Sequence, residues 1–270
     1  MKKLCVLLML ALLMSTALAE TPSTPIHECG DYTYIILPDG TAQIVEWEGR
    51  DAELVIPAAL DGLEVTSISE CAFADCEQLR SIALPETVRE IGVEAFAGCV
   101  DLEHIALPEG LLRIGDAAFQ GCEALTRIAL PASVMEIGEN PFMACANLCE
   151  ITVAEDSERL TAVASVLFSR ADGRLVCYPL GLEAERYTVP EGVREIGARA
   201  FARDLYLEEV VLPESLEVIG RQAFDGCDGL QTMNLPASVT NIGDGAMRCA
   251  RLTLVPEAGG EARVLAGDGA

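Results

Sequence analysis

The chain has 270 residues, 51% of them hydrophobic, and carries 43 Asp and Glu against 18 Lys and Arg, a formal charge of −25. So acidic a chain is a poor partner for nucleic acid or for an anionic membrane surface, because both are bound through clustered Lys and Arg. The hydrophobic residues also recur at a fixed spacing, which excludes an intrinsically disordered chain.

The first residues have the pattern of an export signal. Lys2 and Lys3 precede an apolar run over 4–14, and the small residues Ala17 and Ala19 suit a cleavage site. The apolar run is shorter than the roughly 20 residues of a membrane-spanning helix, and no second run follows it. We therefore predict a signal peptide at 1–19, a secreted or cell-surface location, and no membrane span in the mature chain.

Residues 20–57 are predicted to form an N-terminal lead and a β-hairpin cap. Two runs rich in β-branched and aromatic residues, 32–37 and 41–47, flank the turn sequence Pro38-Asp39-Gly40. The end of a repeat protein exposes an apolar cross-section, which a cap with a polar outer side has to cover. The hairpin is placed to serve as that cap.

A period of 23 residues runs through 58–153 and resumes over 190–254. Each copy is marked by a phenylalanine, with methionine in the last slot: Phe73, Phe96, Phe119, Phe142, Phe201, Phe224 and Met247. A period of 20–29 residues is typical of a leucine-rich-repeat solenoid, in which each turn buries its apolar side against its neighbours. We predict about seven turns, each with a short strand, a glycine such as Gly115 that permits a tight turn, and an outer helical or 3-10 turn.

Five of the eleven cysteines occupy one slot, three residues after the phenylalanine: Cys76, Cys99, Cys122, Cys145 and Cys227. Stacked turns about 4.8 Å apart hold parallel side chains farther apart than the roughly 3.8 Å between the Cβ atoms of a disulfide. We interpret these cysteines as a ladder of small buried thiols. The other candidates for a disulfide lie outside the ladder: Cys29, Cys71, Cys149, Cys177 and Cys249.

The period breaks between Phe142 and Phe201, which are 59 residues apart. Within 154–189, two β-prone runs flank Ala171-Asp172-Gly173, and this pattern predicts an inserted β-hairpin. From 255 to 270 the repeat fades into a Gly- and Ala-rich C-terminal tail.

The sequence carries no recognisable motif for catalysis, for a cofactor or for a metal. Its two histidines, His27 and His104, have no nucleophile beside them, and the cysteine ladder lacks the paired ligand spacing of a zinc site. A Gly-rich phosphate loop is also missing. We predict no catalytic, cofactor or metal site. The enzymatic alternative would use Cys149 or Cys177 as a nucleophile near a histidine.

The outward positions of the Leu-x-x-Ile-x-Leu strand are the candidate binding surface. They form three columns along the solenoid, the first two polar and of mixed charge, the third mostly small. The candidate protein-binding residues are Arg80, Glu103, His104, Arg127, Glu150, Glu208 and Glu209. Because Arg is enriched at interface hot spots, Arg80 and Arg127 are the expected anchors. The alternative for each residue is an ordinary solvated strand position.

The repeat over 84–105, LPETVREIGVEAFAGCVDLEHI, resembles the BspA-like leucine-rich repeats of bacterial surface and secreted proteins. It fits Leu-Pro-x-x-Val-x-x-Ile-Gly-x-x-Ala-Phe-x-x-Cys-x-x-Leu-x-x-Ile at every named position, and the resemblance covers roughly 30–254. The resemblance implies a curved right-handed solenoid with its strands on the concave side. It also implies a non-catalytic role in adhesion, with host or extracellular-matrix proteins as partners. The alternative function is a structural spacer in a bacterial envelope assembly.

Overall fold

The computed structural model describes residues 24–256, so the predicted signal peptide at 1–19 and residues 257–270 lie outside the described residues. This part of the chain is a mainly-β solenoid of about nine stacked turns, each of about 23 residues. Within it, no helix is long and apolar enough to cross a membrane. The strands are β1 Ile26–Cys29, β2 Tyr32–Ile36, β3 Ala42–Trp47, β4 Glu53–Val55, β5 Ala59–Leu60, β6 Leu63–Ile68, β7 Ser81–Ala83, β8 Glu90–Ile91, β9 His104–Ala106, β10 Arg113–Ile114, β11 Arg127–Leu130, β12 Glu136–Ile137, β13 Glu150–Val153, β14 Leu160–Val163, β15 Val166–Ser169, β16 Arg174–Cys177, β17 Arg186–Thr188, β18 Glu195–Ile196, β19 Glu209–Val211, β20 Val218–Ile219, β21 Thr232–Leu235, β22 Asn241–Ile242 and β23 Thr253–Pro256.

The regular turns of the solenoid each supply two short strands, which lie on two different sides. The Leu-x-x-Ile-x-Leu strands form the side that we call the strand face: β4, β7, β9, β11, β13, β17, β19, β21 and β23. The second face consists of β3, β6, β8, β10, β12, β16, β18, β20 and β22. Paired strands are parallel and one repeat apart, as where Ser81 lies opposite His104 and Glu90 opposite Arg113. Equivalent side chains therefore form columns along the solenoid.

Stacked aromatic rings run through the core in two columns. Neighbouring ring centroids in the first column are 5.2–5.7 Å apart, along Trp47, Phe73, Phe96, Phe119 and Phe142. The second column has spacings of 5.0 and 4.8 Å, along Tyr178, Phe201 and Phe224. These rings are the largest side chains of their layers, and all are buried.

Trp47 and Tyr178 occupy the phenylalanine position of their turns. The Trp47 amide donates to the carbonyl of Ala72 and the Tyr178 amide to that of Ala200, as the amide of Phe96 does to Ala118 in a regular repeat. The sequence prediction of about seven turns was therefore too low, because it recognised turns by their phenylalanine.

The outer part of each turn consists of consecutive tight turns, not of the predicted helical or 3-10 turn. The 3-10 helix that the described residues contain, Leu180–Leu182, lies outside the regular repeats. In a regular repeat, the amides of Ala97 and Cys99 donate to carbonyls three residues earlier, while those of Phe96 and Gly98 donate to the next turn of the solenoid. Gly98 has a φ of +73°, so the backbone leaves the right-handed helical region there and no helix continues beyond one turn.

Gly115 is required for a reason different from the predicted one. Its φ is not positive. A Cβ atom on Gly115 would lie 2.6 Å from the carbonyl carbon of Gly92 and from the nitrogen of Val93, both in the preceding turn. The glycine that follows isoleucine in six of the repeats thus permits close approach of two backbones.

The predicted N-terminal hairpin is confirmed. β2 and β3 are antiparallel, and the amide of Leu37 donates to the carbonyl of Thr41 to close the turn between them. β3 also pairs in parallel with β6, where Ile44 lies opposite Ile68. The hairpin consequently covers the end of the solenoid and supplies its first turn.

The predicted inserted hairpin is confirmed as β15 and β16, but it is part of the stack. β16 pairs in parallel with β18 on the second face. β15 is buried on both sides, with Leu167 in the N-terminal core and Val166 and Phe168 in the C-terminal core. The hairpin is therefore the layer that joins two hydrophobic cores.

The five predicted ladder cysteines are buried, and the thiol of each later one points to the preceding turn. The Sγ of Cys99 donates to the carbonyl of Phe73 at 3.1 Å, and Cys122, Cys145 and Cys227 repeat the contact with the preceding phenylalanine. Cys249 makes the same contact with Phe224 at 3.0 Å, so it belongs to the ladder, contrary to the prediction. None of the ten cysteines between residues 24 and 256 forms a disulfide.

Asp204 replaces cysteine in the ladder, three residues after Phe201. Its side chain is buried; Oδ1 accepts from the amides of Tyr206 and Leu207, whereas Oδ2 has no hydrogen-bond partner in the part of the chain that the structure describes. Tyr178 faces it from the preceding turn and Cys227 from the following one. Burial raises the pKa of the Asp204 carboxyl, although the two amides act in the opposite direction.

Asp204→Asn is expected to make the stability of the protein less dependent on pH. Because folding raises the pKa of this carboxyl, its contribution is fully present below the unfolded pKa of about 3.9 and is lost as pH rises through the folded pKa. Asparagine keeps the oxygen that accepts from the two amides but carries no charge. The free energy of unfolding should shift in favour of the variant as the pH rises from about 4 to 7, measured by urea unfolding. The exposed Asp101→Asn is the control, and an equal pH dependence in wild type and Asp204→Asn would contradict the expectation.

Candidate protein-binding face

The strand face places most of the predicted binding residues in solvent. Six of the seven are exposed and one, Glu209, is half-buried: Arg80, Glu103, His104, Arg127, Glu150, Glu208 and Glu209. Between their columns, the inward residues Ile82, Ile128 and Ile151 are at most 3% exposed. The alternation of inward isoleucine and outward polar residues is what a strand with one buried side requires.

The structure divides these residues into two groups. Five of them lie on or beside four neighbouring strands of the strand face, β7, β9, β11 and β13: Arg80, Glu103, His104, Arg127 and Glu150. Glu208 and Glu209 lie on the later stretch that starts with β17, which pairs with β19 and not with β13. The residues between β13 and β17 separate the two stretches. The candidate surface is therefore the N-terminal stretch.

The two predicted anchors lack the ion pairs that five other arginines of the described range form. Arg80 and Arg127 form no ion pair with any residue of the described range. On the second face, Arg113 lies 3.7 Å from Glu90 and 3.1 Å from Glu136. The anchors thus keep their charge and their donors available on the strand face of a chain with a charge of −25.

Arg186 is a functional candidate that the sequence analysis missed. It lies opposite Glu209 in the parallel register of β17 and β19, and its Nη2 donates to the Glu209 carboxylate. The sequence could have revealed it. The repeat resumes at Tyr187-Thr188-Val189-Pro190, and the residue just before Tyr187 takes the second-column position of that turn. The pairing leaves Glu209 less available to a partner than the exposed Glu208 is.

The third column of the strand face is small, as predicted. On the N-terminal stretch it consists of Ala83, Ala106, Ala129 and Thr152, all exposed. Val55 begins the column on β4 and is 76% exposed. A partner can approach the sheet closely along this column, since no long side chain projects from it.

The sequence model described as BspA type leucine rich repeat region matches six copies of the repeat, over residues 59–171 and 181–256. The chain belongs to this family. No curated protein sequence matches it.

Solved structures of other bacterial leucine-rich repeat proteins have the same fold. One, from Eubacterium ventriosum, is 20% identical, with 87% of this chain and 73% of that chain covered and a TM-score of 0.64. The pneumococcal vaccine antigen PcpA is 21% identical, with 87% and 82% covered and a TM-score of 0.58. The T. pallidum leucine rich repeat protein is 28% identical, with 83% and 91% covered and a TM-score of 0.50.

In this BspA-type repeat protein, neither cysteine considered as a nucleophile is hydrogen-bonded to a histidine within residues 24–256. Cys177 is buried, and burial raises the pKa of its thiol, which disfavours the nucleophilic thiolate. Cys149 is exposed, and its Sγ points to the carbonyl of Thr126 at 3.5 Å. His27 stacks on Tyr34 with 5.2 Å between ring centroids. Over residues 24–256, no three His, Cys, Asp or Glu side chains are grouped to hold a metal ion.

Proposed function

We propose that this BspA-type protein is an exported, non-catalytic module that binds other proteins through the N-terminal stretch of its strand face. The observation that carries the proposal is the pair of exposed arginines, Arg80 and Arg127, without ion-pair partners among the described residues. Arginine presents several donors in a rigid planar group and is enriched at the centres of interfaces. The small third column beside them allows a partner to come close.

Host and extracellular-matrix proteins are the proposed partners, and adhesion is the proposed role. The family membership and the export pattern at residues 1–19 support this class of partner. The pattern of an export signal also supports a secreted or cell-surface location, which fractionation of producing cells tests. Recovery from the envelope or medium of a chain that starts near Glu20 would support export. A chain retained in the cytosol with Met1 intact would contradict it.

Replacement of Arg80, His104 and Arg127 together by serine is expected to weaken binding to the partner by at least about tenfold. Loss of a single hot-spot arginine costs about 2 kcal/mol or more, and tenfold corresponds to about 1.4 kcal/mol. The measurement is the dissociation constant for matrix and mucosal proteins immobilised on a biosensor surface.

The matched control is the double change Arg89→Ser and Arg113→Ser, which removes the same number of arginines from the second face. It should leave the affinity nearly unchanged, because neither side chain lies on the strand face. Equal losses in both variants would show that net charge and not this face governs binding. Absence of binding by the wild type above an acidic control protein would refute the proposed function.

A further inference from the structure

Two consecutive strands of the strand face, β9 and β11, are not joined by a ladder, although their neighbours are. β7 pairs with β9 and β11 pairs with β13, whereas no pairing links β9 to β11 within residues 24–256. The amides of His104 and Glu150 each donate to a carbonyl of the preceding turn, at 3.1 and 3.2 Å. Arg127, at the equivalent position, makes no such bond with Glu103 in the described chain.

The same two turns remain joined elsewhere. On the second face β10 pairs with β12, and the amide of Met135 donates to the carbonyl of Leu112 at 2.9 Å. In the core, the ring centroids of Phe119 and Phe142 are 5.6 Å apart. The ladder between the two turns is thus interrupted only on the strand face, where a cleft crosses the carboxyl ends of β9, β11 and β13.

The floor of the cleft is apolar and partly exposed. Ile105 and Leu107 are half-buried there, whereas Ile128 and Leu130 at the same repeat positions of the next turn are 3% and 1% exposed. The cleft has a volume of about 310 Å³, and residues at the carboxyl ends of three strands line it: Ile105, Ala106, Leu107 and Glu109 at β9, Ala129, Leu130 and Pro131 at β11, and Thr152, Val153 and Ala154 at β13. Small-molecule pockets span about 300–1,000 Å³, so this cleft is at the small end of that range.

The chemistry of the cleft favours a protein segment as its occupant. Cα atoms of β9 and β11 lie within 8 Å of each other, whereas a strand inserted between them would need about 9.6 Å, so an occupant lies over the sheet and is held by its side chains. The apolar floor suits one hydrophobic side chain, and Glu109 is the charged residue in the lining. A basic residue next to the hydrophobic one would meet Glu109 and would be attracted by the chain's charge of −25.

We propose that the cleft over the ends of β9, β11 and β13 is the anchor pocket of the binding face, and that it holds one apolar side chain of an extended partner segment, with an adjacent Lys or Arg on Glu109. This inference rests on the proposed function, because it names the point on the strand face at which the partner is held. His104 and Arg127 lie on β9 and β11, two of the three strands whose ends line the cleft.

The test uses a phage-displayed library of random linear peptides, selected on the full-length chain. The selected peptides should share an apolar residue next to Lys or Arg, and their binding should fall at least about tenfold for Ala129→Tyr, which fills the cleft from the β11 wall. Ala106→Leu fills it from the β9 wall and should have the same effect. Glu109→Gln should weaken binding and reduce its dependence on salt.

Two substitutions one repeat earlier serve as matched controls. Ala83→Tyr lies in the same column, but on β7, and Glu86→Gln lies at the position equivalent to Glu109. Both should leave the peptide affinity within about twofold of the wild type, because neither residue lines the cleft. Far-ultraviolet circular dichroism of each variant checks that the solenoid is intact.

The outcomes separate the anchor pocket from the proposed function. Equal binding of the peptides to wild type, Ala129→Tyr and Ala106→Leu would overturn the pocket, as would a selection that enriches no common apolar–basic pattern. If matrix-protein binding is lost in the Arg80, His104 and Arg127 variant but kept in both cleft variants, the proposed function stands and the pocket is refuted. If the peptides need the cleft but no matrix protein binds, the pocket stands and the proposed partners are wrong.

Discussion

Replacement of Phe119 by alanine is expected to lower the free energy of unfolding by about 3–5 kcal/mol. The ring is fully buried and is stacked on both sides, 5.4 Å from Phe96 and 5.6 Å from Phe142 between centroids. Its removal leaves a cavity in the middle of a column, and the turns on either side cannot collapse into it because the ladder of β8, β10 and β12 fixes their spacing on the second face. In a solenoid each layer contacts only its neighbours, so one defective layer weakens two interfaces.

The effect of Phe119→Ala is measured by urea unfolding followed by circular dichroism. Leu112→Ala is the matched control, since Leu112 belongs to the same turn but is 43% exposed on the second face. Its change should stay within about 0.5 kcal/mol. A loss below about 1 kcal/mol for Phe119→Ala would mean that the column of rings does not stabilise the fold as its burial indicates.

Replacement of Gly115 by alanine is expected to cost about 3 kcal/mol, although it adds a single methyl group. The Cβ atom would lie 2.6 Å from backbone atoms of Gly92 and Val93, and backbone cannot move aside as a flexible side chain can. To accommodate the methyl group, the two turns would have to separate, which would lengthen the bond from the amide of Gly115 to the carbonyl of Ile91, now 2.8 Å.

The matched control for Gly115→Ala is Glu123→Ala, an exposed position in the same repeat. Because alanine there removes only a solvated side chain, the free energy of unfolding should change by less than about 0.5 kcal/mol. A neutral or stabilising effect of Gly115→Ala would contradict this expectation. It would mean that the lower entropy of the unfolded variant outweighs the backbone contact, so that the close approach of the two turns does not constrain residue 115.

The 23-residue repeat made the fold predictable from sequence. The turns that depart from the repeat pattern, and the contacts between turns, were not predicted. Phe96, Cys99 and Leu102 could be placed in the core because each has counterparts 23 residues away, and all are buried. Trp47 and Tyr178 were missed since they fill the phenylalanine position with another ring. Gly115 was identified as special, but the atoms that exclude a Cβ belong to the turn before it, and distances between turns are not written in the sequence.

The candidate site was predictable as a set of outward positions but not as a surface. The Leu-x-x-Ile-x-Leu pattern placed Arg80 and Arg127 at outward positions, and both are exposed. The sequence gives no sign that the ladder is interrupted between β9 and β11, because His104 and Arg127 occupy the same repeat position in both strands. Whether neighbouring strands are hydrogen-bonded depends on how closely the two turns pack at that point, which the repeat pattern does not specify.

The layer of β15 and β16 has a consequence for how the chain acquires its structure during synthesis. The turns from Trp47 to Phe142 supply most of the N-terminal core, so this part of the solenoid can begin to fold before the rest is synthesised. When the hairpin follows, Leu167 completes this core on one side of β15, and Val166 and Phe168 present a new apolar surface on the other side. Because β15 belongs to both cores, the folded N-terminal turns provide the surface against which the C-terminal turns can pack.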